Sequence, residues 1–304
     1  MAKYNKVLIG PSSFGEIDTS PIKKLEKEGF TVVKNPFGRK IKKKELIKLL
    51  DKDVVGLIAG LETLDNEVIS NSNLKTISRV GSGISNIDLQ SLKKNKIKLF
   101  SVPNGPIDSV AELTIANIIN LFRKIIPMDS SMKKKKWNRI IGNEIKGKNI
   151  LVIGCGKIGQ RVIKILEFLG ANVKVVDPYT TKPIKEKFNI ISLKKGLKDA
   201  DLITLHSSGQ KCILGKDEFK ILKKGTFICN VSRGELISEK ELIKSIKNNT
   251  VSGAWLDTFT EEPYSGELTN FKEVILTPHI GSYTAECRKN MESIAVNNFI
   301  NSIK

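Results

Sequence analysis

The sequence predicts an α/β fold with two doubly wound parallel-sheet domains, one of them inserted into the other. Short apolar runs alternate with segments of helical apolar spacing along most of the 304 residues, which is typical of parallel sheets. A glycine-rich turn at residues 154–159 begins a second series of such units halfway along the chain. We expect a final helix, near residues 284–303, to return to the first series, so that the second series forms the inserted domain.

The first hundred residues alternate strands and helices but contain no complete phosphate-binding turn. A helix is predicted at 22–28, beginning beside Pro21, and another at 41–50. We therefore assign residues 1–103 together with 285–304 to the first domain. The predicted strands of this domain are 6–10, 31–33, 54–59, 74–80 and 98–102.

The second domain is assigned to residues 104–284, after a Pro-Asn-Gly-Pro break at 103–106. Ser109 is predicted to cap a long apolar helix over 110–126, with Glu112 completing a capping box. The lysine-rich stretch 133–148 is predicted to be a surface loop. The predicted strands of this domain are 150–152, 173–176, 202–205, 226–229, 251–255 and 274–276.

The glycine-rich turn has the spacing of a dinucleotide-binding unit. Gly154 permits a tight turn, Gly156 lets a pyrophosphate approach the backbone, and Gly159 lets the following helix pack on the preceding strand. Asp177 ends the next strand, where a carboxylate can bind ribose hydroxyls and would repel a 2′-phosphate. The sequence thus predicts a Rossmann fold that prefers NAD to NADP. Its predicted cofactor contacts are Gly154, Gly156, Lys157, Ile158, Gly159 and Asp177.

The composition favours a soluble enzyme over a nucleic-acid or membrane protein. The net charge is +19, but the lysines are spread over the whole chain, so we expect attraction of small anionic substrates and no nucleic-acid partner. No apolar run is long enough for a membrane span. The four cysteines lack paired metal-ligand spacing, which predicts reduced thiols, a cytoplasmic location and no metal site.

Polar residues follow three late strands at the edge where such sheets bind ligands. They are Arg233, the pair Glu261 and Glu262, and His279. Together they could support hydride transfer from a hydroxy acid, with the histidine as acid/base and the arginine holding a carboxylate. Spacing alone does not choose between the two glutamates.

Plainer interpretations of these residues remain open. His279 could cap a loop, and Arg233 could form a structural salt bridge. His206, which also ends a strand, has no acid nearby in the sequence. We therefore interpret it as a structural residue or a cofactor neighbour.

Several segments together resemble the D-isomer-specific 2-hydroxyacid dehydrogenase family, and the resemblance covers almost the whole chain. They are 79–88 (RVGSGISNID), 109–114, 152–159, 231–234 (VSRG), 257–263 and 277–282 (TPHIGS). The family pattern places its acid beside the proline, which implies Glu262. It also implies that Arg233 binds the substrate carboxylate and that His279 is the acid/base.

The resemblance implies further contacts and an assembly. Backbone amides at Ser82 and Gly83 would bind the substrate carboxylate, and Asp257 and Val231 would touch the nicotinamide. It also implies a homodimer built largely by the helix near Ser109 and a domain cleft that closes on ligand. Because the sequence stops after the last predicted helix, we expect a short form without the regulatory domain of some family members. Two departures are Ser85 in place of the usual aspartate and Ser207-Ser208 after His206.

Arg79 could bind a second anion, and its segment resembles that of phosphoglycerate dehydrogenases within the family. D-3-phosphoglycerate is therefore the first substrate hypothesis. Glycerate, hydroxypyruvate or glyoxylate follow. An NAD-sensing, corepressor-like role without catalysis is the alternative from another class.

Overall fold

The computed structural model describes residues 5–209 and 211–303 and separates the chain into two compact units. Unit 1 contains the residues up to Pro106 together with those from Ser282 onward, and unit 2 spans Ile107–Gly281. The domain limits drawn from the sequence, after 103 and 284, lie three residues from these. Residues 1–4 and 304 of the predicted first domain fall outside the described residues. Among those described, no helix has the length and apolar character needed to cross a membrane.

Unit 1 is built on a five-stranded, fully parallel sheet in the order β2-β1-β3-β4-β5. Its central strand is buried along its whole length, as expected when helices cover both faces of a parallel sheet. The strands are β1 (Lys6–Ile9), β2 (Thr31–Lys34), β3 (Val54–Ala59), β4 (Thr76–Arg79) and β5 (Lys98–Phe100). The helices are α1 (Ser20–Lys27), α2 (Lys43–Leu49), α3 (Asn66–Ser70) and α4 (Leu89–Lys94).

The C-terminal helix, Ala285–Ile303, packs on the unit 1 sheet, as predicted. Phe299 fills the space over Gly56, where an added Cβ would lie 2.1 Å from its ring. Ser78 Oγ donates a hydrogen bond of 2.7 Å to the carbonyl oxygen of Ala295. These contacts fix the returning chain to β3 and β4, so unit 2 is inserted into unit 1.

Unit 2 contains a six-stranded parallel sheet in the order β11-β10-β9-β8-β6-β7. The chain order reverses between β6 and β8, and ligands of such sheets bind outside the carboxyl ends at that point. The strands are β6 (Asn149–Ile153), β7 (Asn172–Val176), β8 (Leu202–Leu205), β9 (Thr226–Asn230), β10 (Val251–Leu256) and β11 (Val274–Leu276). The helices are α5 (Ile107–Arg123), α6 (Ile125–Lys133), α7 (Lys157–Phe168), α8 (Lys182–Lys187), α9 (Leu193–Asp199), α10 (Lys216–Lys220) and α11 (Glu239–Lys247).

The predicted cap of the long helix at Ser109 is wrong. The helix α5 begins at Ile107, so Ser109 lies inside its first turn. The Ser109 hydroxyl instead donates a hydrogen bond of 2.8 Å to the carbonyl oxygen of Gly281. The hydroxyl thus donates to a carbonyl group 172 residues away and does not cap the helix.

The long helix also ends earlier than predicted. Lys124 adopts a left-handed conformation, with φ of 54°, and separates α5 from α6. After α6 ends at Lys133, residues 134–148 contain turns but no helix or strand, in agreement with the predicted surface loop.

Candidate active site

Two glycines of the turn after β6 are required by close packing of the backbone. Gly154 has φ of 102°, and a Cβ there would lie 2.5 Å from the carbonyl oxygen of His206. A Cβ on Gly159 would lie 2.1 Å from the carbonyl oxygen of Gly154. These contacts bring the end of β8 and the first turn of α7 against the glycine turn.

Gly156 differs, because a Cβ added there would meet no atom within 4 Å. It is the N-cap of α7, and no side chain caps the first turn of this helix. The amide groups of that turn, with the positive end of the helix dipole, are suited to a phosphate group. Lys157 is exposed and Ile158 half-buried at the same place. The structure therefore fits a dinucleotide whose pyrophosphate lies against Gly156.

Asp177 directly follows β7 and is fixed by two backbone amides. Its Oδ2 accepts a hydrogen bond of 2.8 Å from Cys155 N, and its Oδ1 accepts one of 2.9 Å from Tyr179 N. The carboxylate is half-buried beside the glycine turn, which is the place where a ribose would lie. The neighbouring Cys155 is buried, and burial raises the pKa of its thiol to about 11.

His206 is a neutral imidazole beside this turn. Its Nε2 lies 2.9 Å from Thr204 Oγ1, whereas its Nδ1 is buried and has no partner among the described residues. Burial lowers the pKa of the ring to about 3. His206 therefore carries no charge near neutral pH, which supports the cofactor-neighbour interpretation and argues against acid/base chemistry.

Glu262 and His279 form a hydrogen-bonded pair at the carboxyl edge of the unit 2 sheet. His279 Nδ1 lies 3.0 Å and 3.1 Å from the two carboxylate oxygens of Glu262. Phe259 N donates a further hydrogen bond of 3.1 Å to Glu262 Oε1. The side chain of His279 is 28% exposed and that of Glu262 is 25% exposed, so a ligand can reach both. Glu261 is exposed, and the carboxylate placed against the imidazole is that of Glu262.

Arg233 follows β9 and is held by the turn that contains it. Its Nη1 donates a hydrogen bond of 2.6 Å to Ser232 O, and its own carbonyl oxygen accepts one of 2.8 Å from Asn230 Nδ2. Ser232 Oγ is bonded to Leu205 O at 2.7 Å, which ties the turn to β8. Val231, in the same turn, is half-buried. With strands about 4.8 Å apart, the ends of β9 and β11 lie about 10 Å from each other on one edge of the sheet.

Asp257, at the end of β10, is fully buried. Its Oδ1 accepts hydrogen bonds from Thr277 Oγ1 at 2.5 Å and from Ile280 N at 2.9 Å, and its Oδ2 accepts one from Gly281 N at 2.8 Å. Burial raises the pKa of this carboxyl, against the effect of these bonds. Thr277 is a partner of Asp257 that was not predicted from the sequence, although its place in the TPHIGS segment was a signal.

In unit 1, Arg79 ends β4 and is only 7% exposed. Its Nη1 donates a hydrogen bond to the carbonyl oxygen of Val80. A Cβ on Gly81, which has φ of 133°, would lie 3.1 Å from the same nitrogen. Ser82 is exposed and Gly83 half-buried in the loop that follows.

A buried acid that the sequence analysis missed also belongs to unit 1. Glu62, 1% exposed, accepts a hydrogen bond of 2.5 Å from Gly60 N, at the end of β3. Burial raises the pKa of this carboxyl, and the nearby positive charge of Arg79 opposes that change. The signal in the sequence was a glutamate three residues after an apolar strand.

Among residues 5–209 and 211–303, no three acidic, histidine or cysteine side chains are grouped so that they could hold a metal ion. A phosphate-binding glycine turn and a carboxylate–imidazole pair instead share one edge of a parallel sheet. These features define a dinucleotide-binding domain of the dehydrogenase type.

The comparison with protein families identifies the relationship. Residues 115–281 match the model "D-isomer specific 2-hydroxyacid dehydrogenase, NAD binding domain". This match covers more than half of the chain, which therefore belongs to that family. The predicted resemblance and the predicted cofactor class, NAD, are confirmed.

The relatives are named for different activities. A D-3-phosphoglycerate dehydrogenase of Methanocaldococcus jannaschii is 35% identical over 81% of this chain and 49% of its own length. A glyoxylate reductase of Thermococcus litoralis is 31% identical over 79% of this chain and 77% of its own length. This chain spans about half the length of the curated phosphoglycerate dehydrogenases that it matches.

The fold is shared with solved structures. The cofactor(NAD+)-bound 3-phosphoglycerate dehydrogenase of Entamoeba histolytica superimposes with a TM-score of 0.81. It is 28% identical and is matched over 98% of this chain and 95% of the other.

Proposed function

We propose that this protein is an NAD-dependent D-2-hydroxyacid dehydrogenase, in which unit 2 binds the cofactor and unit 1 the substrate. The observation that carries the proposal is the Glu262–His279 pair, 3.0 Å apart and open to solvent on the edge of the sheet that carries the glycine turn. A buried structural ion pair would not need this exposure. The family relationship supports the same reaction class.

The residues of unit 2 divide the chemistry as follows. NAD, when bound, would supply or accept the hydride. Glu262 accepts the Nδ1–H of His279, which leaves Nε2 free to take the hydroxyl proton during oxidation or return it during reduction. Arg233 presents a planar guanidinium that suits the substrate carboxylate. Arg79, Ser82 and Gly83 remain the predicted substrate contacts of unit 1.

The cofactor contacts are proposed from the local geometry. Gly156 and the first turn of α7 would hold the pyrophosphate, and Asp177 would bind the ribose. His206 stands beside the turn with an unpartnered Nδ1. Val231 and Asp257 are proposed to contact the nicotinamide end, as the resemblance implies.

D-3-phosphoglycerate is the first substrate candidate, because several relatives are named D-3-phosphoglycerate dehydrogenase. The net charge of +19 also favours an anionic substrate. The burial of Arg79 favours the second candidate, an unphosphorylated acid such as glyoxylate, hydroxypyruvate or glycerate. An arginine that is 7% exposed and whose guanidinium donates to the carbonyl oxygen of Val80 is poorly placed to bind a phosphate.

NADH consumption across a panel of 2-keto acids tests the reaction class. We expect turnover with phosphohydroxypyruvate, hydroxypyruvate or glyoxylate, weak turnover with NADPH, and turnover about 1000-fold slower with His279→Gln. Tight NADH binding without turnover of any panel member would reject the dehydrogenase and favour a sensor. Arg79→Ala addresses the substrate: if its preference for phosphorylated over unphosphorylated acids equals that of the wild type, Arg79 is no phosphate site.

We also propose a homodimer. The predicted interface helix, α5, packs most of its apolar side chains inside unit 2. The segment after it exposes a group of large apolar side chains, which is typical of a partner surface. They are Ile125, Ile126, Met132, Trp137, Ile140 and Ile141. Light scattering should give twice the chain mass, and Trp137→Ser with Ile141→Ser should shift the mass towards the monomer.

A further inference from the structure

We infer that Trp255, Thr277 and Asp257 form a buried hydrogen-bond chain that positions His279 by holding the turn at residues 277–281. The inference rests on the proposed function, in which His279 is the acid/base. It gives Asp257 a task besides the predicted nicotinamide contact. It also assigns roles to Thr277 and Trp255, which the proposed mechanism does not use.

The direction of the chain follows from its donors. Trp255 Nε1 is only a donor, and it lies 3.0 Å from Thr277 Oγ1. The Thr277 hydroxyl accepts that bond, so its single hydrogen is directed to Asp257 Oδ1 at 2.5 Å. Trp255 and Asp257 are both 0% exposed, so water does not compete for these partners.

The carboxylate of Asp257 then holds the backbone on the far side of His279. Ile280 N and Gly281 N, the next two amides after the histidine, donate to Oδ1 and Oδ2 at 2.9 Å and 2.8 Å. Thr277 N is bonded to Leu256 O at 3.0 Å on the near side. His279 is thus enclosed between two segments that both depend on the strand carrying Asp257.

The conformation of His279 explains why such support is needed. Its φ is 54°, in the left-handed region that costs a residue with a Cβ about 1 kcal/mol or more. Such a conformation persists only when surrounding contacts determine it. Without the bonds from Ile280 and Gly281, the turn would relax and His279 would leave the bidentate geometry with Glu262.

Thr277→Val tests the inference, because valine keeps the shape of threonine and removes the hydroxyl. We expect kcat to fall about 10- to 100-fold, as for other loss of support to a reacting group, with the KM for NADH within about twofold of the wild type. Thr277→Ser, which restores a hydroxyl, should recover most of the activity. A nicotinamide contact that depends on this carboxylate would instead raise the KM for NADH, and that result would overturn the inference.

Two measurements test the hydrogen-bond chain without an activity assay. The indole N–H of Trp255 is buried and that of Trp137, the other tryptophan, is 76% exposed, so ¹⁵N NMR separates them. In Thr277→Val the Trp255 signal should move upfield. Exchange of the Ile280 and Gly281 amides should quicken at least tenfold, while Thr277→Ser stays near the wild type.

The outcomes separate this inference from the proposed function. If the wild type reduces no 2-keto acid, the proposed function fails, and amide exchange alone decides the inference. Unchanged exchange at Ile280 and Gly281 in Thr277→Val, or unchanged kcat in an active enzyme, overturns it. If Thr277→Val does not fold, Trp255→Phe removes only the first donor and should lower kcat about threefold. Wild-type kcat and wild-type exchange in Trp255→Phe would also overturn the inference.

Discussion

The two sheets each place an arginine at or just beyond the end of a strand, and the two arginines differ in their exposure. Arg79 is the last residue of β4, is 7% exposed and bonds the backbone next to it. Arg233 lies three residues beyond β9, in a turn, and is half-buried. Arg79 still belongs to a strand that is buried along its length, whereas Arg233 lies in a turn that remains partly accessible.

The carboxylates of the two units differ in the same way. Glu62 follows β3 by three residues but folds back over Gly60 and is 1% exposed. Glu262 follows β10 by six residues, pairs with His279 and is 25% exposed. The two arginines and the two glutamates show that a charged residue near a strand end is only a candidate for a site. Its burial decides whether a ligand can reach it.

The largest expected effect is that of His279→Gln, which tests whether the exposed pair is the reactive one. Removal of an acid/base group should lower kcat about 1000-fold. NADH affinity and the melting temperature should stay near the wild type, because His279 is 28% exposed. Stopped-flow reduction of the best 2-keto acid measures the change. A variant that keeps a tenth of the wild-type kcat would show that the proton comes from elsewhere.

Two substitutions test whether Arg233 binds a ligand and Arg79 stabilises the fold. Arg233→Lys should lower kcat/KM about 100-fold with little effect on stability, since lysine cannot reproduce the two parallel hydrogen bonds to a carboxylate. Arg79→Met should lower the free energy of unfolding by about 2 kcal/mol, because a buried charged hydrogen bond is lost. Steady-state kinetics and urea unfolding of both variants give the two answers. If Arg79→Met altered only kinetics, the contrast between the arginines would be wrong.

The glycines of the turn provide a second contrast between packing and binding. Gly159→Ala should lower the free energy of unfolding by about 3 kcal/mol, since its Cβ would lie 2.1 Å from the carbonyl oxygen of Gly154. Gly156→Ala should fold normally, because its Cβ meets no atom, yet weaken NADH binding about tenfold by crowding the phosphate. Thermal unfolding and calorimetric titration distinguish the two. Unchanged NADH affinity in Gly156→Ala would show that the pyrophosphate does not bind beside Gly156.

The Nδ1 atom of His206 is buried, and acid stability tests the effect of that burial. The pKa of His206 is lowered to about 3, whereas an unfolded histidine has its usual value near 6.5. Between these values the unfolded chain binds the extra proton, so the free energy of unfolding falls as the pH is lowered. This contribution amounts to about 2 kcal/mol between pH 7 and pH 5. Urea unfolding at pH 7 and pH 5 measures the change. The free energy of unfolding should fall less between these pH values in His206→Asn than in the wild type, and an equal fall in both would contradict the burial of the ring.

The smallest effect concerns the thiols. Cys155 is buried with a pKa raised to about 11, and Cys212 is exposed. Iodoacetamide at pH 8 should therefore modify Cys212 and leave Cys155 intact in the native protein, since the thiolate is the reactive form. Peptide mass spectrometry reads both sites. Rapid labelling of Cys155 would mean that the glycine turn opens readily.

Much of the fold followed from local patterns in the sequence. The strands at 54–59, 202–205 and 274–276 agree with the structure residue for residue, because each is a short apolar run bounded by polar or turn-forming residues. The glycine spacing predicted the turn and α7 for the same reason. The predicted cap at Ser109 is wrong because α5 begins two residues earlier, at Ile107, which places Ser109 inside the first turn.

The sequence by itself determined the parallel α/β architecture, the glycine turn and the order in which Arg233, Glu262 and His279 follow their strands. These depend on residue type and on spacings within one or two elements, which the chain carries locally. Tertiary structure decided that Glu262, not Glu261, meets the imidazole, that Arg79 and Glu62 are buried, and that Asp257 holds the turn around His279. Each of those outcomes depends on which groups from distant parts of the chain share a dry environment, where an unpaired charge or donor is costly and must find a partner.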